Sequence, residues 1–377
     1  MKTLIIDDEP GIRQQLGFVL EDEGYEVYTA STGLEGLSKV ESQKFDIVIT
    51  DLMLPDLDGM EIVSKTKEVH PETIVVMITG HGSIEKAVEA IKAGADDYIP
   101  KPLDGNEVVM KLEKASEMKR LRDENLIFQR RIERELETAR RIQQGLLPQQ
   151  SPDIPGLDIA IFNEPAKHVG GDYHDLIILP SGELGIAIGD VSGKGMPAAL
   201  LMANVQASIR RCSEYRYSPC KIMDRLNAAL CPICQLIEEH RFVTVFYGVL
   251  EIDDMGFVYT NAGHNYPIIF SKDGSINDLS EAGNLPCGLM ENITYEEDRV
   301  GLRPDDVMLF YTDGVVEAID VNDKMFGEER LKDIILKNRH LSSEEIVSII
   351  NEDMFGFMGD SPQYDDITIM VVKLSAV

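Results

Sequence analysis

The chain has 377 residues, 44% hydrophobic and 27% charged, a soluble globular composition long enough for two or three domains. Its net charge of −30 is uneven: 9 Lys/Arg against 21 Asp/Glu over residues 1–105, 10 against 8 over 106–148, and 17 against 37 beyond. Both flanking regions repel polyanions, which argues against nucleic acid as a partner, and the short apolar stretch in "MKTLIIDDEPG" is too brief for a signal peptide or membrane span, so a cytoplasmic location with no membrane partner is expected.

In chain order, apolar strand cores stand at 3–7, 26–30, 45–51, 73–80 and 96–102, with helical stretches near 10–23, 33–43, 58–69, 83–94 and from 104 onward. Continuous Val/Ile runs suit strands covered on both faces, hence a five-stranded, doubly wound parallel α/β sheet over residues 1–104. Sites in such sheets lie at the carboxyl ends of the strands. Asp7 and Asp8 end the first strand, Asp51 the third, Thr79 the fourth and Lys101 the fifth, so all five converge at one edge. Asp8 and Asp51 can hold one Mg²⁺ with Asp7 orienting its waters, Asp51 can attack phosphorus, and Thr79 and Lys101 can bind phosphoryl oxygens. The motifs "DDEP", "TDLMLPDLDG", "ITGHG" and "DYIPKP" are similar, in this order, to those of response-regulator receiver domains. The resemblance implies that Asp51 is the phosphoacceptor, that Met53 lends a backbone carbonyl to the metal, that the Lys101–Pro102 bond is cis, and that a sensor histidine kinase is the partner.

Residues 105–148 hold no glycine between Gly105 and Gly145 and no proline before Pro148, and are rich in Leu, Glu, Arg and Lys. One long helix is expected, about 65 Å at about 1.5 Å per residue. A heptad frame runs through Met118, Leu121, Asn125, Phe128, Ile132, Ala139, Ile142 and Leu146, with Glu135 breaking one position. Asn125 is the residue type that sets register in two-stranded coils, so a dimeric, coiled-coil-like linker is expected; the other reading is a single amphipathic helix packed on its own domains.

Residues 149–377 read as short strands (157–162, 174–180, 184–189, 241–251, 256–260, 266–270, 306–311, 366–374) with helical regions near 196–213 and 218–236, an α+β domain of packed antiparallel sheets. The glycine-rich "GDVSGKG" is not a phosphate-binding P-loop, because Lys194 falls where a Gly is required. Aspartates recur beside apolar strands in "GGDYHD", "IGDVSGKG", "FYTDGVVEA" and "QYDDITIMVV". Carboxylates without a nearby His or Cys cluster select hard cations, and two such ions can activate a shared water against phosphate. "CPIC" (231–234) lacks two further ligands at zinc-knuckle spacing, so buried thiols are expected there.

Together with "ARRIQQGLLP", "RFVTVFYGVLE", "NAGHNYP", "LFYTDGVVEA", "FGEERL" and "DDIT", this half resembles the metal-dependent PPM-type serine/threonine phosphatases, in their bacterial SpoIIE- and RsbU-like branch. The resemblance implies two Mn²⁺ or Mg²⁺ ions, with catalytic Asp190 bridging both, the Val191 carbonyl, catalytic Asp313 and Asp365 as further ligands, and Asp172 as an outer ligand. It also implies a phosphorylated STAS-domain protein as substrate. His174 stands where the family pattern has Tyr or Phe, and Asn265 where it has Pro. His264 invites a general-acid role, but a turn-stabilising imidazole is the commoner fate. A non-catalytic phosphatase-like adaptor that binds a sigma-factor regulator is the competing reading; such proteins lose metal carboxylates, and all four are present here.

Overall fold

A computed structural model describes residues 1–80, 84–236 and 241–375, with no side-chain description for 84–87. His81 and Gly82 of "ITGHG" and the first residue of the helix expected over 83–94 lie outside the described residues. The chain divides into two contact-dense units, Met1–Ile132 and Glu133–Val377.

In the first unit, β1 (Lys2–Ile6), α1 (Pro10–Asp22), β2 (Glu26–Ala30), α2 (Gly33–Ser42), β3 (Ile47–Asp51), α3 (Gly59–Val69), β4 (Ile74–Thr79), α4 (Ile84–Lys92) and β5 (Asp97–Pro100) alternate as the sequence pattern requires. The five strands are all parallel in the order β2-β1-β3-β4-β5. Two apolar cores, one on each face, bury residues such as Leu4, Ile6, Val48 and Met77 on one side and Ile5, Ile49, Val76 and Ile78 on the other. That double burial is why these strands read as unbroken Val/Ile runs rather than as alternating ones. Asp58 caps α3 by accepting from the Met60 N–H, and Thr32 caps α2 by accepting from Glu35 N–H.

A single helix, α5 (Gly105–Leu146), follows; the boundary between the units falls within it. Val108 and Leu112 pack into the core of the first unit, whereas Met118, Leu121, Ile127, Phe128 and Ile142 are exposed.

The second unit runs β6 (Leu157–Glu164), β7 (Tyr173–Ile178), β8 (Leu184–Val191), α6 (Met196–Glu214), α7 (Pro219–Cys234), β9 (Val243–Glu251), β10 (Gly256–Ala262), β11 (Ile268–Phe270), β12 (Ile276–Asp278), β13 (Gly283–Asn284), β14 (Asp298–Gly301), β15 (Val307–Tyr311), α8 (Asp313–Val316), α9 (Glu328–Asn338), α10 (Ser343–Met358) and β16 (Ile367–Leu374). One sheet has the order β13-β10-β9-β8-β7 with β14 beside β10; the other is β12-β11-β15-β16-β6. Pairing is antiparallel except between β10 and β13.

Strand alternation sorts the core. On β15, Met308 and Phe310 face the opposite sheet, while Val307, Leu309 and Tyr311 face α9 and α10. On β9, Phe246 and Leu250 enter the space between the sheets, while Val243, Val245 and Tyr247 meet α6 and α7. The result is a sandwich with a helical layer on each side. Phe246 packs against Phe257, Tyr259 and Phe310 at centroid separations of 5.5–6.1 Å; truncating such a buried ring to Ala costs about 3–5 kcal/mol. The sequence reading gave two helical regions here, and α9 and α10 correct it.

Candidate functional sites

At the carboxyl edge of the parallel sheet, oxygens of Asp7, Asp8 and Asp51 lie within 4.8 Å of one another, close enough for one cation. Asp7 and Asp51 are buried and Asp8 is exposed. Lys101 reaches in from the end of β5, 2.6 Å from Asp51 and 3.2 Å from Asp7, and the Lys101–Pro102 bond is cis. Burial raises the pKa of Asp7, opposed by the Glu9 N–H and by Lys101. Burial works to lower that of Lys101, but the two aspartates more than reverse it and hold the ammonium firmly charged. The Met53 N–H donates to Asp51 at 3.2 Å, and Thr79 lies one residue past Ile78, the partner of Asp51 across β3 and β4. Gly59 fits against the Asp51 carbonyl so closely that a Cβ would run into it.

In the second unit the aspartates gather around Asp190. It sits near the end of β8, paired with Thr244 on β9, whose hydroxyl donates to the Asp190 carbonyl at 3.3 Å. Asp172, in the loop before β7, is buried and accepts from the hydroxyls of Thr312 (2.8 Å) and Thr368 (2.5 Å). Asp313 opens α8 directly after Thr312, and Asp365 stands just before β16. Asp366, a residue the sequence reading passed over, is buried and accepts from the N–H groups of Ala166 (2.7 Å) and Gly171 (2.6 Å). Glycines are required there: a Cβ on Gly170 would meet the Asp366 carboxylate at 2.5 Å, and one on Gly171 the Val191 carbonyl at 2.8 Å. Asp366 thus fixes the loop that carries Asp172.

Electrostatically the cluster is short of positive charge. Burial, then repulsion from Asp313, Asp365 and Asp366, pushes Asp190 up to about 7. Asp172 is raised well above the usual range by burial and by Asp190, Asp313 is raised by burial and Glu317, and Asp366 is raised by burial. Lys194 is the nearby cation, 3.0 Å from Asp365. Carboxylates that repel one another in a buried pocket are a donor set for hard divalent cations. No three of these five bring oxygens within 4.8 Å of one another, so the set is more widely spread than the Asp7, Asp8 and Asp51 cluster.

His264 is buried in the turn after β10: its N–H donates to Asn261 Oδ1 (2.7 Å), its carbonyl accepts from Asn261 Nδ2 (2.9 Å), and Nδ1 meets the Thr244 hydroxyl at 3.0 Å. Burial pushes its pKa down to about 4, so the imidazole is neutral and braces the turn behind Asp190. Cys231 and Cys234 are buried on α7, and burial pushes both thiols up.

A second contact missed in the sequence comes from the end of α5. The Gln143 amide donates to the Gly170 carbonyl (2.7 Å) and accepts from the Gly170 N–H (3.1 Å). Gln143, Gln144, Asp172 and Asp366 line one cavity of about 60 Å³. "ARRIQQGLLP" therefore touches the loop that leads to Asp172 directly. The useful signals lay inside the quoted motifs, where Thr312 adjoins Asp313 and Thr368 follows Asp366 at strand period two.

A parallel-sheet receiver and a carboxylate-lined double-sheet sandwich define a response regulator with a phosphatase-type output domain. The profile of the response-regulator receiver domain matches residues 3–113, and that of the Stage II sporulation protein E (SpoIIE) family matches residues 180–375. The chain belongs to the SpoIIE family. It is 30% identical over 247 residues to the phosphoserine phosphatase RsbU of Bacillus subtilis, covering 65% of this chain and 72% of RsbU. It is 32% identical over 262 residues to protein IcfG of Synechocystis sp., covering 63% of this chain but only 41% of IcfG. In fold it is similar to the SiaA PP2C domain of Pseudomonas aeruginosa (TM-score 0.59, 21% identity, 66% of this chain and 98% of that domain). Among the described residues no helix is long and apolar enough to cross a membrane.

Proposed function

We propose that this protein is a two-component response regulator whose output is metal-dependent hydrolysis of phosphoserine or phosphothreonine on a partner protein, the partner being a STAS-domain anti-anti-sigma factor. Residues 1–104 act as the receiver, 105–148 as a dimeric switch helix and 149–377 as the phosphatase. In the receiver, one Mg²⁺ is held by Asp8, Asp51 and the Met53 carbonyl beside Asp7; Asp51 takes the phosphoryl group from a sensor histidine kinase, and Thr79 and Lys101 hold its oxygens.

The observation that carries the phosphatase reading is the buried, mutually repelling set around Asp190, with a pKa pushed up to about 7. Asp190, Asp313, Asp365, the Val191 carbonyl and, at the outside, Asp172 are the groups that would hold two Mn²⁺ or Mg²⁺ ions. Such ions, when bound, supply an activated water and draw charge from the phosphoryl oxygens. The chain's own contribution is to hold the carboxylates apart on a rigid sandwich: Thr312 and Thr368 orient Asp172, and Asp366 ties down its loop.

A phosphorylated STAS protein incubated with this protein and Mn²⁺ tests the reading. Wild type should release phosphate, and Asp190→Asn should lower the rate by orders of magnitude with the circular dichroism unchanged. Hydrolysis by Asp190→Asn at the wild-type rate would sink the metal mechanism.

A further inference from the structure

Lys194 stands in the middle of "SGKG" on a turn that allows it little backbone freedom. Gly193 and Gly195 flank it at φ +89° and +78°, and a Cβ on Gly193 would run into the Arg241 guanidinium. The turn is pinned from behind: Arg241 donates to the Ser192 carbonyl (2.8 Å), the Phe242 N–H to the Ser192 hydroxyl (2.8 Å), and the Ser192 N–H to the Phe242 carbonyl (2.9 Å). Only the four-carbon stem of Lys194 is left to move, and its side chain is one-third exposed.

That stem delivers its ammonium to Asp365, 3.0 Å away, and to the Tyr364 carbonyl. The other oxygen of Asp365 accepts from the Asp366 N–H at 3.0 Å. Both oxygens of Asp365 are therefore engaged. The backbone N–H is fixed by the entry into β16, whereas the ammonium is on a flexible arm. A divalent cation arriving at Asp365 competes with Lys194 for the same oxygen and repels it. Lys194 also offsets part of the charge around Asp313.

Once displaced, the ammonium remains tethered at the mouth of the site, where the surrounding unit carries 17 basic against 37 acidic residues beyond position 148. On the phosphatase reading, the anion that comes to this place is a phosphoryl group. The exposed Lys167 lies alongside, its stem 3.8 Å from the Cβ position of Gly195. We propose that Lys194 is the counter-ion of Asp365 in the metal-free protein, is exchanged for a divalent ion on loading, and then binds the phosphoryl oxygens of the substrate, where it sets affinity for the phosphorylated form. The inference deepens the phosphatase reading of this site and rests on it.

Lys194→Met and Lys194→Arg test it by binding rather than by turnover, on the full-length protein. Titration calorimetry with Mn²⁺ should give at least threefold tighter binding for Lys194→Met, because the competing ammonium is gone. With saturating Mn²⁺, O-phosphoserine should bind Lys194→Met about tenfold more weakly, and Lys194→Arg should recover most of that loss; KM should follow the same order with kcat changed far less. Unchanged phosphoserine affinity in Lys194→Met, or weaker Mn²⁺ binding, overturns the exchange and leaves Lys194 as a brace of the turn. Failure of wild type to release phosphate from the phosphorylated partner protein would instead count against the phosphatase reading, which Asp190→Asn tests separately.

Discussion

At the scale of single residues, His174 shows how a departure from a family pattern acquires a physical consequence. It occupies β7 opposite Ile188, is buried, and its Nδ1 has no hydrogen-bond partner among the described residues. Burial pushes its pKa down to about 4, from 6.5, against the opposing pull of Asp175. The folded state favours the neutral imidazole, so its stabilising contribution is complete above pH 6.5 and is lost as pH falls toward 4. Replacing it with an aromatic ring, the residue type the family pattern carries, removes both the orphaned nitrogen and this titration. His174→Phe should lose less stability than wild type between pH 7 and pH 4.5, by about 2–3 kcal/mol at 1.36 kcal/mol per pKa unit. Urea denaturation at the two pH values measures it. The raised carboxylates around Asp190 work in the opposite direction but are common to both proteins, so the difference isolates His174. Identical pH dependence would mean that the imidazole finds a solvent partner.

At the scale of elements, α8 is one turn long and holds Asp313 against β16. Gly314 is seated so closely on the Asp366 carbonyl that a Cβ would run into backbone, which cannot rotate away. Gly314→Ala should therefore move α8 off the sheet, costing about 1–3 kcal/mol in chemical denaturation, the usual range for overpacking, and weakening Mn²⁺ binding by displacing Asp313. Unchanged metal affinity would show that α8 can shift without carrying Asp313 along. What the sequence discloses about such elements depends on where their information lies. The receiver strands are legible because burial on both faces writes them as Val/Ile runs, and their carboxyl ends locate Asp7, Asp8, Asp51 and Lys101 without further help. The Asp190 strand is legible for the same reason. By contrast, α10 has Ile346, Ile350, Met354 and Met358 at four-residue spacing and a capping box from Ser342 and Glu345, a helical stripe that a strand-and-turn reading overlooks. β12 to β14 are two to four residues long, β12 in a short hairpin with β11 and β13 and β14 beside β10, which is distant in sequence, so no local period announces them. Of the adjacent Asp365 and Asp366, one pairs with Lys194 and the other clasps the Gly170–Gly171 loop; a shift of one residue at a strand entry reverses the face, and only the fold says which is which.

At the scale of the whole molecule, the single helix α5 is the covalent path between receiver and phosphatase, and its two ends have different duties. Near its start, Val108 and Leu112 are part of the receiver core; near its end, Gln143 grips Gly170 in the loop that leads to Asp172. Between them the heptad positions Met118, Leu121, Phe128 and Ile132 are exposed, and Asn125 stands at a register-setting position. A second copy of the helix is the occupant we assign to this seam. Under the proposed function, phosphorylation of Asp51 would shift such an equilibrium only by its differential interaction with the two states, so control would require that the phase of α5 at Gln143 differ between them. A helix turns about 100° per residue. Inserting one or two residues near Arg130 should misdirect Gln143 relative to the seam, abolishing the response to acetyl phosphate, while a seven-residue insertion should largely keep it. Phosphatase rate with and without the donor is measured for each insertion, with Asp51→Ala as the control that should ignore the donor throughout. An equal donor response in all the insertions would remove the rigid helix from the mechanism and leave direct contact between receiver and phosphatase as the route of control.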